Sequence, residues 1–173
     1  MLKKLLIYNF LLIYIIKYLN ILFSSKMETG QFGCIQKTIH LGARKKGCYI
    51  ITDKILNEIS NDLKNIKYGT ANLFLMHTSA ALTVLESYDP SVMTDLTNSL
   101  DRIAPEGNFY EHTDEGPDDA PSHIKCALIG PSITIPITNG KLNMGTWQGI
   151  ILCEFRTAMK SRDILVTING IKK

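Results

Sequence analysis

The sequence predicts one mixed domain in which strands are interrupted by a few amphipathic helices. Apolar, β-branched runs of strand length recur between Phe32 and Asn169, and two stripes with a 3.6-residue period break them up. Gly, Pro and Asn-Gly signals fall between these segments. With 173 residues and 45% hydrophobic content, the chain can bury about two-thirds of its unfolded surface in one core without a second domain.

In chain order, Phe32 to Leu41 and Cys48 to Thr52 read as the first two strands, with Gly42 and Gly47 in the connection. Thr52 or Asp53 is placed to cap a helix whose apolar stripe is Ile55, Leu56, Ile59, Leu63 and Ile66, with Gly69 just beyond its end. Ala71 to Thr78 is continuously apolar enough for a covered central strand, and it runs out into His77, Thr78 and Ser79. Asp89-Pro90 opens a second helix, because the aspartate can accept from free backbone N–H groups and proline suits the first turn. Its stripe is Val92, Met93, Leu96, Leu100 and Ile103.

From Ala104 to Ser122 the composition is that of a loop: acids, Gly, Pro and His112, with His123 just beyond, and no Lys or Arg. Ser122 is then expected to cap a short helix that Gly130-Pro131 ends. Asn139-Gly140 has the chemistry of a tight hairpin turn, joining the strand from Ser132 to one that carries Trp147 through Arg156. Alternation along the latter puts Gln148, Ile150, Leu152, Glu154 and Arg156 on one side. That mixture suits a lined pocket, or else a solvated edge. Asp163 to Asn169 supplies a last strand.

Composition excludes several functions. A net charge of +3, with no Lys/Arg run interleaved with aromatics after residue 26, argues against a nucleic-acid partner. Cys34, Cys48, Cys126 and Cys153 form no C-x-x-C and read as reduced, mostly buried thiols. Phosphate-binding glycine signatures and a G-x-S-x-G nucleophile are both absent, so neither a dinucleotide fold nor covalent serine chemistry is expected. Residues 1–26 differ from the rest, with no Gly, Pro, Ala, Asp or Glu, so the domain is expected to occupy residues 27–173. Three readings of the extension stand. It is a signal without a small-residue cleavage site, a bilayer anchor interrupted by Asn9, Lys17 and Asn20, or a misassigned start ahead of Met27. The last implies a cytoplasmic protein; the others imply a secretory, organellar or membrane-tethered one.

Chemistry concentrates in the histidines. His77, His112 and His123 lie at a strand end or in the acidic loop, near Asp114, Glu115, Asp118 and Asp119, while His40 looks structural. Imidazole with carboxylate suits a divalent cation, although the spacing matches no compact ligand motif and equally fits an acidic solvated loop. A histidine at the end of a buried strand can also be a satisfied core residue.

Taken together, HTSAALTVLESYDPSVMTD, HTDEGPDDAPSHIK and GPSITIPITNGKLNMGTWQGIILCEFR resemble the YjbQ family, called secondary thiamine-phosphate synthase enzymes, over about Phe32 to Gly170. The resemblance implies an α+β fold with a β-sandwich core and flanking helices, assembled as a homotrimer with pockets near subunit boundaries. It also implies a secondary activity: joining thiazole phosphate to a pyrimidine diphosphate with loss of pyrophosphate. The primary substrate is left open as a small phosphorylated or anionic metabolite, and the alternative is a trimer that binds such a metabolite or a metal without turnover. The family pattern carries onto His77, His112 and His123 as ligands of a divalent metal or phosphate. It carries onto Asp119, Glu154 and Arg156 as catalytic groups, and onto Thr78, Ser79 and Gln148 as ligand-binding groups. Leu85-Glu86-Ser87 departs from the Asn-Glu-Asn frequent in relatives, which removes two amides able to hydrogen-bond a substrate, and Ser122 departs from a frequent alanine.

Overall fold

Residues 13–15 and 29–173 are described by a computed structural model of the chain. All three readings of the amino-terminal extension therefore concern residues almost wholly outside that range. Among the described residues, no helix is long and apolar enough to cross a membrane.

Eight strands and three helices follow the extension: β1 (Phe32–Arg44), β2 (Gly47–Ile50), α1 (Thr52–Leu63), β3 (Ile66–Leu75), β4 (Ala80–Glu86), α2 (Ser91–Ile103), α3 (Asp119–Ile129), β5 (Ser132–Thr138), β6 (Lys141–Leu142), β7 (Gln148–Glu154) and β8 (Lys160–Lys172). They form a mixed α/β fold built on two antiparallel sheets. The larger has the order β1-β8-β3-β5-β6 and the smaller β2-β7-β4.

Period-2 patterning explains the larger sheet. Ile39, Leu41, Leu73, Leu75, Ile135, Ile137, Ile164, Val166 and Ile168 point inward and are buried, in one cluster with Ile55, Ile59 and Leu63 of α1. Leu82 of β4 and Ile150 and Leu152 of β7 complete that cluster from the smaller sheet. The outward face of the larger sheet is tied instead by cross-strand polar pairs: Gln36 with Thr167 at 2.9 Å, Thr70 with Asn169 at 3.0 Å, and Asn72 with Ser132 and Thr134, each at 3.0 Å.

The smaller sheet is covered on both faces. Ile151, Cys153 and Phe155, out of phase with Ile150 and Leu152, pack with Ala81, Leu100 of α2 and Cys126 of α3. This double covering explains why β7 is buried from Gly149 onward. Truncating Ile150 or Leu152 to alanine would cost about 2–5 kcal/mol, the usual range for a core aliphatic.

Several sequence expectations change. The Asn139-Gly140 turn is present, with φ of 52° and 85°, but it joins β5 to the two-residue β6; the strand after Trp147 belongs to the other sheet. Ile66 opens β3 rather than closing α1, because the helix ends at Leu63. Thr52 caps nothing: its Oγ1 accepts from the Ile150 N–H at 2.9 Å, locking the start of α1 to β7. Helix α3 begins at Asp119, ahead of Ser122, whose hydroxyl donates to the Asp119 carbonyl. Strand β4 is an element that the sequence pattern does not mark. Its AALTVLE sequence lacks clean alternation because both of its faces are covered. Cys34 is exposed, against the expectation for most thiols, and His40 is exposed beside Asp163 at 2.7 Å.

One feature shapes the far end of the larger sheet. Gly33, Gly170 and Gly69 face one another in register across β1, β8 and β3. A methyl on Gly69 would lie 2.0 Å from the Asn169 carbonyl oxygen, and one on Gly170 would lie 2.2 Å from that of Tyr68. Backbone, not movable side chain, fills that space.

Candidate functional site

The connection from β3 to β4 carries His77, Thr78 and Ser79 out of the larger sheet and into the smaller one. Beside it lie the start of α3, the acidic loop before it, and the chain leaving β7. These segments line a polar cavity of about 410 Å³ that includes His77, His112, Asp119, His123, Arg156 and Lys160.

At its centre, His112, Asp119 and His123 converge, their ligand atoms all within 4.8 Å of one another. Asp119 and His123 share one face of α3 because they are four residues apart. His112 Nε2 lies 3.1 Å from Asp119 Oδ2, and His123 Nε2 lies 3.2 Å from Asp119 Oδ1. Asp119 is only 2% exposed.

Hydrogen bonding fixes the His123 ring. Its Nδ1 lies 2.8 Å from the Thr78 carbonyl oxygen, which can only accept, so Nδ1 carries a proton. In the neutral ring, Nε2 then turns a lone pair toward a carboxylate oxygen. Two acceptors at that distance require a proton or a cation between them. A histidine donating one N–H to a carbonyl while its other nitrogen faces a carboxylate is the usual arrangement of a metal-ligating imidazole. The donor set of two imidazoles and one carboxylate therefore fits a divalent ion of borderline softness.

His77 is not part of that convergence. Its Nε2 accepts the Asp163 backbone N–H at 3.0 Å, so in the neutral ring the remaining nitrogen is the protonated one. Burial, helped by the nearby Arg162 charge, holds its pKa below the usual 6.5. His77 lines the cavity as a neutral wall with no lone pair to offer an ion.

The arginines are already committed. Arg156 donates from Nη1 to Asp119 Oδ1 at 2.7 Å and Glu115 Oε2 at 3.1 Å, from Nε to Asp118 Oδ2 at 3.3 Å, and from Nη2 to the Glu115 carbonyl. Burial pushes the Asp118 pKa up, but bonds from the Thr157 N–H and hydroxyl, with the Arg156 charge, outweigh this and leave it lowered. Arg156 thus pins the acidic loop to the end of β7 and orients Asp119.

Glu154, expected as a catalytic group, lies behind this arrangement. It is buried, takes Nε and Nη2 of Arg162 at 2.6 and 2.7 Å, and accepts the Arg156 backbone N–H at 3.0 Å. Ser79 Oγ accepts from Arg162 Nη2 at 3.0 Å, so this side chain is also engaged within the protein. Thr78 contributes its carbonyl to His123, and its exposed residue borders the cavity. Gln148 stands apart, at the other end of β7, where its Oε1 accepts the Gly145 N–H at 2.7 Å and closes a turn.

Glu115 and Asp118, expected only as acids near the histidines, hold Arg156, and Lys160 joins the site without a signal of its own. For Arg162 a signal existed: it is in phase with Ile164, Val166 and Ile168, so an inward guanidinium demanded a buried carboxylate.

An antiparallel two-sheet domain with a His-Asp-His group where the chain crosses between sheets is the class that fold and site define. The sequence profile described as "UPF0047 protein YjbQ-like" matches residues 37–171. The chain belongs to this family. The UPF0047 protein YjbQ of Escherichia coli O157:H7 is 43% identical over 135 residues, covering 78% of this chain and 97% of that protein. A crystal structure of a YjbQ/UPF0047-family protein from Clostridium acetobutylicum, described as uncharacterized, matches with a TM-score of 0.67 at 34% identity, over 78% of this chain and 98% of that one. A YbjQ-like protein of unknown function from Sulfolobus solfataricus has the same fold, with a TM-score of 0.72 at 23% identity, over 81% and 99% of the two chains.

Proposed function

We propose that this protein is a metal-assisted enzyme acting on a small phosphorylated or anionic metabolite, with His112, Asp119 and His123 holding a divalent ion. The observation that carries the reading is the His123 ring, fixed by Thr78 so that Nε2 faces Asp119 across 3.2 Å. An ion held there would supply a Lewis acid to polarise or neutralise a phosphoryl oxygen. Around it, Arg156 orients Asp119, His77 supplies a neutral wall, and Lys160, which lines the cavity 3.8 Å from Glu115, supplies positive charge toward an anion. Thiamine-phosphate formation from thiazole phosphate and a pyrimidine diphosphate is proposed as a secondary activity, because it requires stabilisation of a departing pyrophosphate.

Metal retention tests the reading. Purified chain loaded with zinc or manganese and then desalted should keep about one ion per chain, His123→Ala should keep none, and His77→Ala should keep it. Full occupancy in His123→Ala refutes the assignment.

The protein is further proposed to be a homotrimer. An apolar groove of about 790 Å³, lined by Phe74, Met76, Ala127 and Pro131, shares His77, Thr78 and His123 with the polar cavity. Phe74, Met76 and Leu128 are exposed beside it, an arrangement suited to burial by another subunit. Light scattering should give three times the chain mass, and Met76→Asp should lower it; a monomer in the unaltered chain overturns the assembly.

A second reading, binding without turnover, is favoured by one observation. Both buried guanidiniums already have carboxylate partners, leaving little free cationic charge for a transition state. Pyrophosphate release above background by the metal-loaded chain, lost in His112→Ala, decides for the enzyme.

A further inference from the structure

Two of the four thiols lie away from the metal candidate and play no part in it. Cys48 of β2 and Cys153 of β7 are direct partners in the antiparallel register, with their sulfurs 3.5 Å apart. Ile51 donates its N–H to the Ile150 carbonyl at 2.9 Å, which makes the Ile51/Ile150 pair a hydrogen-bonded one. Counting three residues along each strand makes Cys48/Cys153 a non-hydrogen-bonded pair, where opposed Cα atoms approach to about 4.5 Å. That separation falls within the roughly 4.4–6.8 Å span a disulfide bridges. Cys153 is fully buried, whereas Cys48 is only half-buried and borders a small void with Thr97 and Asp101.

We propose that Cys48 and Cys153 form a reversible cross-strand disulfide, with Cys48 as the thiol that meets the oxidant and Cys153 as the one that resolves it. The oxidant class is a low-molecular-weight disulfide such as oxidised glutathione. The Cys48 thiolate attacks one of its sulfurs, forming a mixed disulfide and expelling one small thiol. Cys153 then attacks the Cys48 sulfur as its thiolate and expels the second. Two cysteine thiols are oxidised, one small disulfide is reduced to two thiols, and both protons leave on those products. The hydrogen bond between the sulfurs supports this order, since it draws the Cys48 pKa down to about 7 while raising that of Cys153. The bond would tether β2, an edge strand of four residues, to the end of β7 one residue before Glu154. Because it closes a loop spanning 105 residues, oxidation should raise the melting temperature.

Trypsin separates all four cysteines, with Cys48 on residues 47–54 and Cys153 on residues 142–156. The full chain is equilibrated in glutathione buffers of increasing oxidised fraction, quenched with acid, alkylated and digested. The expected product is peptide 47–54 joined to 142–156, two hydrogens lighter than their sum and abolished by dithiothreitol, together with a higher melting temperature. In Cys153→Ala, Cys48 should accumulate as the glutathione adduct; should that variant not fold, Cys48→Ser should leave Cys153 unmodified. Complete alkylation of both residues in buffers that already glutathionylate the exposed Cys34, or a Cys48 adduct that persists in the unaltered chain, overturns the proposal.

Discussion

The two ends of β7 do opposite work. At the Gln148 end the side chains face water: Trp147 is 60% exposed, stacks at 5.8 Å on an exposed Tyr88, and precedes a glutamine that only closes a turn. At the Glu154 end, six residues on, every side chain is buried, and two carboxylate-arginine networks meet. The more conspicuous motif, GTWQG, therefore lies at the end away from the His-Asp-His group, while the chemistry gathers where the strand finishes. A strand with both faces covered can present functional groups only where it leaves the sheet.

The sharpest test of that contrast is Glu154→Gln. Removing the charge leaves Arg162 buried beside a neutral amide, which should cost about 3–5 kcal/mol in denaturant unfolding. A loss below about 1 kcal/mol would mean that water reaches Arg162 and that the two ends are alike. Next in size is Asp119→Asn, which keeps the side-chain shape but halves its acceptor capacity. Metal affinity should fall by roughly 100-fold or more in a competition assay, since even outer partners of a ligand are worth about 10–100-fold.

A pH effect comes third. His77 has its pKa lowered by burial and Arg162, so the unfolded chain binds more protons below about pH 6.5 and stability falls as pH drops from there through the lowered folded value. Replacing His77 with Gln should flatten the stability slope between pH 6.5 and 5, measured by urea unfolding in a buffer series. The smallest effect belongs to the exposed end. Gln148→Ala gives up one hydrogen bond to Gly145 and should cost about 0.5–1.5 kcal/mol, with metal retention unchanged.

Much of the fold could be read from residue order. The strands of the larger sheet announced themselves because one face is aliphatic and the other carries Thr, Asn and Gln, so Ile164-Val166-Ile168 and Ile133-Ile135-Ile137 show clean alternation. Strand β4 gave no such signal, since α3 and the main core cover it from both sides. The hairpin partner was misplaced for a related reason: the Asn139-Gly140 turn is local, but the sheet that receives the next strand is chosen by tertiary packing. Within the site, His112, Asp119 and His123 could be named from chemistry, because acids and imidazoles crowd one loop. What spacing could not say is which histidine has a free lone pair. That depends on the Thr78 carbonyl and the Asp163 amide, backbone groups that leave no mark in the order of side chains.

The glycine row across β1, β8 and β3 gives a way to weaken this protein without touching its chemistry. Because a methyl at Gly69 meets carbonyl oxygen rather than a yielding side chain, Gly69→Ala would pry the ladder apart from the margin remote from the histidines. Such a variant separates damage to the scaffold from damage to the reactive centre, the control that any alanine scan of the cavity will need.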